Sequence, residues 1–114
     1  MIQLEKIIER GEQDIDGGNL WWFKFADGTY LMGGRVQWDT TSSSDVFAFT
    51  VNIPISISSI PETAVVATNI FYERRICTWT AGLIASNQIR FDAKPADATG
   101  AGITLACSFI LFGK

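Results

Sequence analysis

Hydrophobic and polar positions follow one rhythm over the first ten residues and another from Leu20 onward. At the start, Met1, Leu4 and Ile8 stand at a-d-a spacing with Ile7 beside them, and Gly11 follows as a stop, so the spacing predicts a short helix over 2–10. A helix of about two turns is marginal in water and is ordered only where its apolar stripe packs on its own domain or on copies of itself as a neck. Residues 12–19, EQDIDGGN, are polar and glycine-rich and read as a linker.

Beyond residue 19 the helical period gives way to short aromatic and β-branched runs separated by Gly, Pro, Asp, Ser and Asn, which is a strand pattern. Runs 20–26 and 29–38 flank Asp27-Gly28, a pair that suits a two-residue type I′ hairpin turn with positive φ at both central residues. Alternation places Trp21, Phe23 and Phe25 on one face of the first run and Tyr30, Met32, Val36 and Trp38 on one face of the second. Gly33-Gly34 marks a bulge or a close backbone approach. After a polar loop over 39–45, the run 46–53 turns Phe47, Phe49, Val51 and Ile53 toward a core. Pro54 and Pro61 bracket an extended, irregular ISISSI, because each proline lacks an N–H and restricts the residue before it. Further strands are predicted over 63–70, 74–80, 83–93 and 103–112, with a loop over 94–102. The fold class is therefore all-β: an antiparallel β-sandwich of six to seven strands with a short N-terminal helix. It divides into a stalk over 1–11, a linker over 12–19 and a sandwich over 20–114.

Composition narrows the function. The chain has 114 residues, enough for one core, and is 47% hydrophobic and 18% charged, too apolar for a disordered segment. No apolar run reaches the roughly 20 residues that cross a bilayer as a helix, so no membrane insertion is expected. MIQLEKIIER is charged throughout and does not read as a secretory signal, so any export is expected to use another route, such as cell lysis. A net charge of -3 without a run of Lys and Arg offers no stripe for successive phosphates, which argues against nucleic acid. Cys77 and Cys107 each sit in an apolar run, where a small buried hydrophobe outweighs a disulfide, and a disulfide requires neighbouring strands.

The search for chemistry returns little. Histidine is absent, which removes the usual general base and the commonest transition-metal ligand, and no GxSxG or SxxK is present. Asp14-x-Asp16 resembles the opening of a calcium loop, but the position that needs a bidentate glutamate holds Phe25. Gly100-x-Gly102 precedes a strand and lacks the Lys-Ser/Thr of a phosphate loop. A glycosidase pair from Asp39, Asp45, Glu62, Glu73, Asp92 and Asp97 is a minor reading, since acidic side chains are mostly solvated surface. The expectation is no enzyme, no metal and no cofactor. Aromatics carry more. Trp22 points opposite to Trp21, and Trp79 lies near Phe71-Tyr72 and Arg74-Arg75, a combination that suits sugar or protein recognition; the alternative for both is that the ring faces a second sheet or a neighbouring subunit.

The segment 7–38, with Lys24-Phe25-Ala26-Asp27-Gly28-Thr29, resembles the opening of C-terminal knob domains of phage tail fibres and prophage receptor-binding proteins, in which a short stalk and a Gly-containing linker precede an aromatic K-F-x-D-G-T hairpin. FAFTVNIPISISSIPETAVVA and the closing ITLACSFILFGK are similar to later elements of that family, and the succession resembles H-type lectin-like sandwiches. Trp21-Trp22 and Met32-Gly33-Gly34 depart from its usual pattern, so no binding residue is carried over from it. The resemblance implies a virion protein of a phage tail or fibre, a homotrimer that contacts other virion proteins and recognises a host-surface glycan or protein, with avidity making weak single sites effective. Loop placement and side-chain type select Asp45, Tyr72, Arg74, Arg75 and Trp79 as candidate contacts, and the subunits are expected to associate through the N-terminal stripe of Leu4, Ile7 and Ile8 and an apolar sheet face. The same resemblance implies synthesis in the bacterial cytoplasm. The alternative is a purely structural virion subunit, a fibre tip or capsid decoration, whose aromatics bury against another viral protein.

Overall fold

The computed structural model describes residues 6–15, 17–40, 46–70, 76–96 and 102–114. Eight strands form two antiparallel sheets: β1 (Ile7–Ile15), β2 (Gly18–Phe25), β3 (Tyr30–Asp39), β4 (Phe47–Asn52), β5 (Ala64–Asn69), β6 (Cys77–Ala85), β7 (Gln88–Pro95) and β8 (Thr104–Gly113). The larger sheet runs β1-β2-β3-β8-β5 and the smaller β4-β7-β6. Their inner faces share one core, which makes the sandwich.

Alternation explains which residues enter that core. From the larger sheet come Leu20, Met32, Val36, Leu105, Cys107, Phe109 and Leu111, and from the smaller Val51, Cys77, Trp79, Ile89, Phe91 and Ala93. Alternation runs on from Ile53 into the ISISSI segment: Ile53, Ile55 and Ile57 are buried, and the N–H groups of Ile53 and Ile57 donate to the carbonyls of Asn87 and Ser86. The proline-bracketed stretch thus seals the end of the core without joining a sheet. Aromatic rings fill the other end, with Trp38 stacked on Phe49 at 4.3 Å between centroids and Phe91 edge-on to Phe109 at 5.3 Å.

Three local expectations change and one open alternative, at Gly33-Gly34, is resolved. The predicted N-terminal helix is not formed over 7–10, which are extended in β1; residues 12–15, 18 and 19 of the expected linker also lie in strands, and residues 1–5 lie outside the described residues. Pairing with β2 supplies hydrogen bonds that a two-turn helix would have to make alone. The hairpin loop is one residue longer than the two-residue turn: Gly28 N–H donates to Phe25 O and Phe25 N–H to Thr29 O, and Gly28 takes the positive φ of 90°. Asp27 Oδ1 accepts from Thr29 N–H at 2.9 Å, and that bond holds its carboxyl below the usual carboxylate range. Gly33 and Gly34 stay in register with both neighbours, so the pair is a close approach and not a bulge; a Cβ on Gly33 would strike the Trp21 indole and the Phe109 carbonyl. Finally, Gly82 lies within β6, and the β6–β7 turn is at Ser86-Asn87, next to a bulge at Leu83/Ala85.

Candidate functional site

Of the predicted contact residues, Asp45, Tyr72, Arg74 and Arg75 lie outside the described residues, as does Leu4. Trp79 is described, and it is not a surface contact. It is 7% exposed, its ring lies 6.0 Å from that of Trp38, and its Nε1–H donates to Asn69 Oδ1 at 3.0 Å. The reason is parity: Cys77, Trp79, Ala81 and Leu83 share the inward phase of β6, and the indole N–H finds its partner on β5, tying the smaller sheet to the edge of the larger. Ile7 and Ile8 are exposed, at 47% and 57%, but on a strand.

What the structure brings together instead is the outer face of the larger sheet. One register row crosses all five strands as Arg10, Phe23, Leu31, Phe112 and Ala64. The next reads Glu12, Trp21, Gly33, Ile110 and Val66. Apart from the β1 charges, both rows are apolar. Phe112, Ile110 and Val66 are 55%, 52% and 63% exposed, and Trp21 leans on Phe23 with ring centroids 5.8 Å apart. The third row, Asp14, Asn19, Arg35, Ser108 and Thr68, is polar and ends the patch. With strands spaced about 4.8 Å apart and two side chains per row pair, the patch covers on the order of 300 Å², the scale of a functional apolar patch on a small domain.

Two concavities border the β1–β2 hairpin. A cleft of about 300 Å³ lies where β1 faces the edge of β4, lined by Gln13, Ile15, Val36, Trp38, Thr50, Val51 and Asn52. Its polar groups are uncharged amides and a hydroxyl beside an indole, the mixture that suits a neutral sugar more than an ion. A groove of about 400 Å³ runs along Arg10, Gly11, Glu12, Trp21, Trp22 and Phe23. There Trp22 turns inward, its indole lying over Gly11, with Nε1 buried and without a partner among the described residues.

No family model, curated protein or solved structure matches the chain. Function therefore rests on these surfaces. Cys77 and Cys107 are buried; burial first, and the neighbouring Cys77 thiol second, push the Cys107 thiol up to about 12. Such a thiol stays protonated and is a poor nucleophile. No described helix is long and apolar enough to cross a membrane.

An apolar sheet face between subunits is expected from the sequence without being placed on strands, although β2 (GNLWWFKF) and β8 (TLACSFILFG) carry its signal. Both are apolar on the two phases of the strand, and a strand apolar on both sides needs cover on both.

Proposed function

We propose that this chain is a non-enzymatic assembly and adhesion domain of a phage virion, a trimeric tail-fibre knob whose subunits meet through the outer face of the larger sheet. The observation that carries the reading is the two-row apolar patch of Trp21, Phe23, Leu31, Ile110, Phe112 and Val66. A face of this kind is matched by apolar contact with another protein surface, and the resemblance of the Lys24–Thr29 hairpin to knob domains supplies the trimer and the virion setting. The cleft beside Gln13, Thr50 and Asn52 supports a host-surface glycan as the receptor, held by uncharged hydrogen-bonding groups and presented several times over for avidity.

The test is light scattering with the intact chain, together with a cell-binding assay. The expected mass is a multiple of three chains. Ile110→Asp places a charge in the middle of the patch, and it is expected to disperse the trimer and abolish binding to host cells while the isolated domain stays folded. A wild-type mass that is not a multiple of three overturns the trimer. An intact trimer that binds no host cell overturns the adhesin and favours the structural virion subunit.

A further inference from the structure

We infer that β1 is the seam of a two-fold contact between two copies of this chain, in which the open edges of two β1 strands pair antiparallel about Gly11. Among the described residues β1 lies at the edge of the larger sheet, with β2 as its one neighbour, and most of its side chains are exposed. Three backbone bonds fix which way its polar groups point: Ala26 N–H to Lys6 O, Phe25 N–H to Thr29 O and Gln37 N–H to Gly17 O, each 2.8 Å. These direct the even residues of β2 toward β1 and the odd ones toward β3. Through the register, Gly11, Gln13 and Ile15 bond β2, which leaves the N–H and C=O groups of Arg10, Glu12 and Asp14 aimed at the open edge.

An edge of free backbone groups invites another strand, and charged side chains are the usual protection against that. Here the charges choose a partner as well as excluding others. Antiparallel pairing about Gly11 sets Arg10 of each copy directly opposite Glu12 of the other, so that the residues whose backbone groups point outward exchange hydrogen bonds and their side chains form two symmetric ion pairs. Glu9 then meets the uncharged Gln13. The neighbouring registers that keep the same hydrogen-bond phase put like charges on the axis, Arg10 on Arg10 or Glu12 on Glu12. Gly11 suits the axis position, because directly opposed residues there approach to about 4.5 Å between Cα atoms and the Trp22 indole already occupies the space of a side chain.

The contact does not need the trimer: two copies joined through it double the mass from one chain to two, or from three chains to six where the seam's two-fold axes lie perpendicular to the three-fold. The experiment is light scattering of the full chain at matched protein concentration, with circular dichroism to confirm folding. Arg10→Glu and Glu12→Arg each set like charges opposite one another twice, and each is expected to halve the mass. The double exchange, and a mixture of the two single variants, restore opposite charges at both positions and are expected to restore the mass. Single variants that keep the wild-type mass, or a double exchange and mixture that both stay at half of it, overturn the seam. Should one single variant fail to fold, the double exchange still decides: it retains the wild-type mass if the register is right, and retention together with an unchanged mass in the remaining single variant overturns it.

Discussion

On the outer face of the larger sheet Ile110, Phe112 and Val66 stand more than half exposed, while the outer face of the smaller sheet presents Thr50, Arg90, Asp92 and Thr80. Arg90 there bonds Asp92 at 3.0 Å, and Gln88 Nε2 donates to Asn52 Oδ1 at 3.2 Å. Val46 and Ile76, just before β4 and β6, and Ile84, at the bulge of β6, are the exposed apolar exceptions on that side. The inner faces show no such division, since both supply Val, Ile, Leu and aromatic side chains to one core. A sandwich needs only its inner faces to fold. In the proposed assembly the difference between the outer faces is one of partners: the smaller sheet is finished by water and the larger by another subunit.

The comparison breaks first if the common interior is removed. Phe109→Ala deletes a ring that meets Phe91 edge-on from the opposite sheet, and a loss of about 3–5 kcal/mol is expected in urea unfolding, enough to remove both faces together. Gly33→Val is expected to cost less, about 1–3 kcal/mol, and to act on one face. Its side chain would push aside the Trp21 indole, so the same variant should weaken self-association out of proportion to its effect on the smaller sheet.

Alkaline pH probes the inner side of the larger sheet. The folded Cys107 thiol titrates at about 12, above its ordinary value of 9.0. A raised thiol value means that the unfolded chain loses its proton first, so stability is full below pH 9.0 and falls as the pH rises from there toward about 12. Urea unfolding is expected to lose about 1 kcal/mol between pH 8 and pH 10, and Cys107→Ala should remove that slope. Alkylation of the native protein at pH 8 should leave Cys107 unmodified.

These contrasts also mark how far the sequence could be read. Strands with one buried face were legible by alternation: Met32, Val36, Phe47, Phe49 and Val51 all fall on the expected side. β1 was not, because only Ile15 at its end packs against the core and the rest of IIERGEQDI is mostly exposed, so it carries no period of two; its paired isoleucines then mimic a helical stripe. The strands predicted over 74–80 and 83–93 broke at 81–82, whereas the β6–β7 turn is at Ser86-Asn87, which lacks the glycine that punctuates the other hairpin. Trp79 was judged by its neighbours in the chain, whereas its phase relative to Cys77 already placed it inside. The remaining candidate contacts, Asp45, Tyr72, Arg74 and Arg75, fall outside the described residues.

The smallest effect is expected on the smaller sheet, and it sharpens the comparison most directly. Arg90 and Asp92 form an ion pair with side chains 52% and 39% exposed, and both residues stand in the middle rows of that sheet. Water screens such a pair, and holding a long side chain in one geometry costs entropy, so Arg90→Ala should change stability by about 0.5 kcal/mol or less. Its position on β7 is structurally equivalent to that of Ile110 on β8: each is an outward residue on a strand flanked on both sides by its own sheet. If the outer faces differ as argued, Arg90→Ala leaves the mass in light scattering unchanged where Ile110→Asp reduces it. Equal losses of mass from the two substitutions would mean that the smaller sheet is also covered in the assembly, and that its polar surface is an interface of the wetter, hydrogen-bonded kind.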